Sequence, residues 1–225
     1  MKTSKLLTVL TIATVAVAVS AARAAALTTV PMQGPMVHVG IEYAEHDGVP
    51  HFHIHVEDPV PMLTPLSLSH PSDQFDNTDP WFGELDPSAE GRAFNRQYGF
   101  VLDGGSDPLP AGYGIWIRQL SATPGLEAFR YRTSPDTWSP MFGTDGSRDT
   151  LQWNLGMFHP AYTAPAGVGQ YFATYQAFLV DADKNPTGVS AQFQLEWNAI
   201  PEPTTAIMTV LGLGAAALTI RRRKA

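Results

Sequence analysis

Four histidines and two carboxylates hold most of the chemistry that this chain offers. In His51-Phe52-His53-Ile54-His55-Val56-Glu57 polar residues alternate strictly with apolar ones, the period-two pattern of a half-buried β-strand. One side of such a strand belongs to a core, and the other carries three imidazoles. Neutral imidazole is the commonest protein ligand for zinc and its transition-series neighbours. Six of the seven histidines lie between His38 and His70. The expectation is therefore a metal site, most simply zinc, on the face of a β-sheet.

Those rings must be positioned by a second strand. Same-face neighbours on one strand stand roughly 6.6–6.8 Å apart, so one ion can be shared by His51 and His53, or by His53 and His55. A tetrahedral site then needs ligands from elsewhere, at about 2.0–2.1 Å. Val37, Val39 and Ile41 alternate with His38, Gly40 and Glu42, which makes Met36 to Tyr43 a strand; Asp47-Gly48 makes Ala44 to Pro50 a turn. Setting both apolar rows on one face places His38 opposite His55, Gly40 opposite His53 and Glu42 opposite His51, because a one-residue slip would reverse every side chain. Opposed Cβ atoms are roughly 4.5–5.5 Å apart, in chelating range for two imidazoles. The expected ligands are His38, His51, His53 and His55, with distant His159 a further candidate. Glu42 and Glu57 serve as oxygen ligands or as partners that fix an imidazole tautomer. The competing reading makes these residues the wet face of an edge strand. His46 and His70 fall in expected loops and read as solvated surface.

The rest of the chain also reads as strands. Tyr98 to Leu102, Ile115 to Leu120, Leu126 to Arg132, Leu151 to Met157, Gln170 to Val180 and Ala191 to Trp197 are candidates; Gln170 to Val180 reads as the longest, and central because it is apolar on both faces. Pro160 to Gly169 reads as a turn, and Asp58 to Arg96 as a long, acidic, proline-rich connection with one helical turn at Asp86 to Glu90. No long amphipathic helix appears in this pattern. The fold class is all-β, an antiparallel β-sandwich or jelly roll, flanked by a signal peptide and a C-terminal sorting helix.

Both ends are address labels. Met1 to Ala26 has a basic start (Lys2, Lys5), an uncharged run from Leu6 to Val19 and small residues for a signal peptidase. At the other end Pro201-Glu202-Pro203 precedes an uncharged run, Thr204 to Ile220, and then Arg221, Arg222, Arg223 and Lys224. As a helix that run is about 26 Å long, enough for a thin bilayer, with the basic cluster held on the cytoplasmic side. The division is 1–26 signal peptide, 27–200 β-sandwich domain and 201–225 sorting signal.

All 21 acidic residues fall between Glu42 and Glu202 but only 7 of the 14 basic ones do, so this region carries −14 against −7 for the whole chain. Such a domain repels nucleic acid and attracts cations weakly over its whole surface. With no cysteine, an exported domain of this size folds by packing alone, and Cys-type zinc sites and thiol catalysis are excluded.

Pro201-Glu202-Pro203, a short glycine-punctuated apolar helix and an arginine cluster, in that order, resemble the PEP-CTERM sorting signal of bacterial surface proteins. The resemblance covers the last 25 residues or so and implies processing by an exosortase near Pro201-Glu202-Pro203, transient anchoring by the C-terminal helix, and a final place at the cell surface or in the extracellular matrix. A second resemblance rests on His51 to His55 followed by Trp153-Asn154, Phe158-His159 and Gly169-Gln170-Tyr171. It is similar to exported proteins repressed under zinc sufficiency, and implies extracellular zinc binding.

The leading reading is thus an exported, exosortase-sorted protein with a histidine-based zinc site, and not an enzyme. His-x-His on a strand also resembles the zinc strand of carbonic anhydrases, which keeps a zinc-dependent hydratase or hydrolase as a distant alternative, although the surrounding pattern is missing. No Gly-x-Ser-x-Gly occurs. The other alternative is a structural or carbohydrate-binding matrix module whose partner is extracellular polysaccharide. Trp81, Trp116, Trp138, Trp153 and Trp197 offer flat faces for sugars. Trp116 and Trp197, within expected strands, read as core, and Trp81 and Trp138 remain open.

Overall fold

Alternation makes the strands, and large aromatic side chains decide how they stack. The computed structural model describes residues 32–65, 92–133, 136–165, 167 and 169–199. The expected signal peptide, sorting helix and helical turn at Asp86 to Glu90 lie outside the described residues, as do His70 and Trp81. The strands are β1 (Val37–His46), β2 (Val49–Val56), β3 (Met62–Leu63), β4 (Arg92–Asn95), β5 (Tyr98–Leu102) and β6 (Gly114–Ala122). They continue as β7 (Glu127–Thr133), β8 (Asp136–Met141), β9 (Thr150–Gln152), β10 (Ala161–Pro165), β11 (Gly169–Val180) and β12 (Pro186–Ala199).

Among the described residues three sheets result, ordered β2-β1-β5, β4-β10-β7-β8 and β3-β12-β11-β6-β9. The five-stranded sheet turns Ile115, Ile117, Tyr175, Phe193, Leu195 and Trp197 into one core. The two smaller sheets cover it. Tyr98 and Phe100 of β5 meet Trp197 and Phe193 with ring centroids 5.2 and 6.1 Å apart, and Tyr162 of β10 meets Trp197 at 4.4 Å. Such edge-on and tilted pairs add to the apolar burial that drives the stacking. The expected all-β sandwich is what forms.

Buried polar atoms in this core mostly find partners, as they must. Tyr175 donates to Gln119 Oε1 at 3.1 Å and lies 3.2 Å from the Tyr162 hydroxyl. Tyr98 donates to the Glu196 carbonyl at 3.1 Å, and burial pushes its phenol up to about 12. At the β4–β5 junction Asn95 donates to Gln97 Oε1 at 2.7 Å, and Gln97 donates to the Pro35 carbonyl at 2.7 Å. These bonds fix where β5 starts.

Several details depart from the sequence reading. The sandwich is not wholly antiparallel: β5 runs parallel to β1, and β3 parallel to β12. A tight hairpin forces antiparallel pairing, but the long connection from β2 to β5 leaves the direction free. β11 is central, as expected, yet β12 is longer. The segment after Pro160 is not a turn; Ala161 to Ala164 are buried in β10. The strand expected over Leu151 to Met157 stops at Gln152, short of Leu155 with φ 63°.

Candidate metal-binding face

The hairpin β1–β2 positions the histidines, and its turn sets their register. Asp47 and Gly48 have φ of 53° and 75°, both left-handed, as a two-residue type I′ turn requires. His46 therefore pairs with Val49, and the ladder continues as Ala44 with His51, Glu42 with His53, and Gly40 with His55. This corrects the expected pairing by two residues. A shift of two preserves the face, so the imidazoles still share the outer side while each gains a different partner.

Two carboxylates, Glu42 and Glu57, stand among the new neighbours. His38 faces Glu57: its backbone N–H donates to Glu57 Oε2 at 2.8 Å, and its Nδ1 lies 2.9 Å from the same oxygen. The backbone bond first, and then the ring bond, hold the Glu57 carboxyl below its ordinary value. Gly40 leaves a shallow groove of about 220 Å³ walled by His38, His55, Glu57 and Asp103. A Cβ at Gly40 would stand 3.4 Å from Asp103 Oδ2.

His51 and His53 form a separate pair. Their Nε2 atoms are 3.0 Å apart, with ring centroids at 4.7 Å and planes at 88°. His51 Nδ1 lies 3.2 Å from the Val49 carbonyl. That bond places the His51 proton on Nδ1 and leaves Nε2 with its lone pair toward His53.

His159 comes to the same side by another route. Its ring lies against Gly99 on β5, where an added Cβ would strike Cε1 at 2.2 Å, and Gly99 is the register partner of His38. Nδ1 donates to the Tyr98 carbonyl at 3.1 Å, and Nε2 is buried without a hydrogen-bond partner. Burial above all, then the Arg96 charge, keep this imidazole below its ordinary pKa. His46 is solvated, 84% exposed beside Asp47.

The expected ligands thus share a face but split into the pair His51/His53, the groove around His38, His55 and Glu57, and half-buried His159. Among the described residues no three His, Asp or Glu side chains gather closely enough to hold one ion. Asp103 and Gly99 went unread in the sequence: the first sits in a turn and the second has no side chain.

The opposite outer surface corrects the tryptophan reading. Trp197, Trp138 and Trp153 are buried, but Trp116 is not part of the core. It stands on the outer face of β6, 6.3 Å from Phe178 between ring centroids.

Residues 199–224 match the family model described as the PEP-CTERM protein-sorting motif. The chain carries a PEP-CTERM sorting motif. A PEP-CTERM tail marks an exported surface protein processed by an exosortase. Among the described residues no helix is long and apolar enough to cross a membrane, and the apolar part of the PEP-CTERM segment lies outside them. No curated protein and no solved structure matches the chain, so the resemblance to zinc-repressed exported proteins gains no support.

Proposed function

We propose that this exported, exosortase-sorted protein captures a divalent transition-metal ion, zinc among the candidates, at the His51–His53 pair. The observation that supports it is the 3.0 Å separation of the two Nε2 atoms. Two nitrogens each about 2.0–2.1 Å from one ion stand roughly 2.9 Å apart at a right angle and 3.3 Å apart at the tetrahedral angle. That separation matches a tetragonal ion such as copper(II), and a small ring rotation suits zinc, the ion taking the place of the proton shared between the two Nε2 atoms. Val49 holds the His51 tautomer that coordination needs, while Glu42, opposite His53, supplies a nearby negative charge. Water completes the shell. The role is capture of an ion outside the cytoplasm, with no turnover, after a signal peptidase and an exosortase have acted on the two ends.

Competition for zinc and copper(II) against a chromophoric chelator tests this on the purified protein. One equivalent should bind, with affinity falling at least tenfold in His51→Ala and in His53→Ala and unchanged in His46→Ala. Equal binding by the double variant His51→Ala/His53→Ala would sink the proposal.

A further inference from the structure

The outer face of the five-stranded sheet carries a groove of about 420 Å³ that owes nothing to the histidines. Trp116 and Phe178 form its apolar floor, and the Arg118 guanidinium lies over the Phe178 ring at 5.4 Å. Arg118 also donates to Gln176 Oε1 at 2.7 Å, and Gln176 in turn donates to Ser190 Oγ at 3.0 Å. This chain of bonds holds the cation in place on an aromatic floor. Arg118 Nε is buried without a partner.

A second groove, of about 520 Å³, adjoins the first at Thr150 and is walled by Arg130, Arg132 and Arg148. Lys184 lines the first groove. Five of the seven basic residues between Glu42 and Glu202 therefore edge one continuous depression. The other two are engaged elsewhere: Arg92 pairs with Glu127 at 2.6 Å, and Arg96 lies over Trp138. Among the described residues neither groove has a carboxylate in its wall, although this region of the chain holds all 21 acidic residues. Two acids next to the grooves in sequence are bonded locally. Asp149 accepts from Thr150 Oγ1, and Asp181 accepts from the amides of Asp183 and Asn185.

We propose that this double groove binds an acidic polysaccharide, one whose sugar rings stack on Trp116 and whose carboxylates meet the line of arginines. Flat aromatic faces suit the apolar faces of sugar rings, and guanidinium forks bind carboxylates bidentately. Sparse charge along the polymer also separates it from duplex nucleic acid. One phosphate per about 1.7 Å of duplex would bring dense negative charge against a domain of net charge −14. The site is independent of the metal proposal and lies on the other side of the sandwich.

Affinity electrophoresis through gels containing polygalacturonate, with dextran and duplex DNA as comparison polymers, tests it on the full chain. Polygalacturonate should retard the protein in a salt-sensitive way and dextran should not. Trp116→Ala and Arg130→Glu/Arg148→Glu should each weaken the retardation about tenfold while circular dichroism shows the fold intact, and His53→Ala should leave it unchanged. Wild-type retardation of the charge-reversed variant, equal retardation by dextran, or stronger retardation by DNA would overturn the proposal.

Discussion

The two outer faces of the sandwich are built from opposite charge patterns. On the β2-β1-β5 face each imidazole neighbours a carboxylate or another imidazole: His38 meets Glu57, His53 pairs with Glu42, and His51 touches His53. On the outer face of the five-stranded sheet and along its β9 edge, arginines stand beside aromatic and amide side chains, with no acid in the groove walls among the described residues. The first pattern orients the imidazoles and surrounds them with negative charge, which suits a cation. The second concentrates positive potential in a depression, which suits an anion. A net charge of −14 describes neither surface. Local placement, not the total, sets what each face can hold.

The largest expected effect breaks both faces at once. Trp197 is fully buried where the three sheets meet, so Trp197→Ala should cost about 3–5 kcal/mol in urea unfolding, with metal and polymer binding lost together. A more selective break is Gly99→Ala. Its Cβ would collide with the His159 ring, and overpacking of this kind costs about 1–3 kcal/mol. The His159 and His38 resonances should move while retardation by polygalacturonate stays. Smaller again is Gly48→Ala: φ of 75° strains any Cβ, so about 1 kcal/mol should be lost, together with the fixed register of His51 and His53. Retained stability would show that the turn tolerates another backbone.

The smallest effect is a pH dependence that belongs to the histidine face alone. An unfolded imidazole takes up its proton near pH 6.5, whereas folded His159 does so only at lower pH. Between those values the unfolded chain binds more protons, so stability falls as the pH is lowered through that window. His159→Phe should flatten the slope there. The Glu57 contribution is present above its unfolded value of 4.5 and is lost as the pH falls through its lower folded value. Urea midpoints measured from pH 7 to pH 3 should show two separate declines, the first absent in the variant.

Alternation made β1, β2, β5 and β6 legible, because a residue every second position pointing inward is all that a half-buried strand needs. The face shared by the histidines followed from the same period. Their partners did not, since pairing was read from the apolar rows alone, whereas Asp47-Gly48 demanded a two-residue loop and moved the ladder by two. β10 was hidden behind Pro160 and Pro165, whose presence argues for a turn although Tyr162 and Thr163 between them are buried. The groove was unreadable for another reason. Arg118, Arg130, Arg148 and Lys184 come from separate strands and loops, and nothing in their spacing shows that they converge. Trp116 read as core because β6 is covered on one side only, and the pattern Ile115-Trp116-Ile117 hides which side.

The bond from Tyr98 to the Glu196 carbonyl has a consequence for how this molecule behaves in a crowd. Among the described residues β12 meets a strand on its far side only at Asn198 and Ala199, and a backbone row left open in this way invites a foreign chain to extend the sheet. Glu196 is the next position along, and a phenol from the opposite layer already occupies its oxygen. At that rung a side chain of the same molecule already holds the oxygen, and a neighbour at the cell surface must share it.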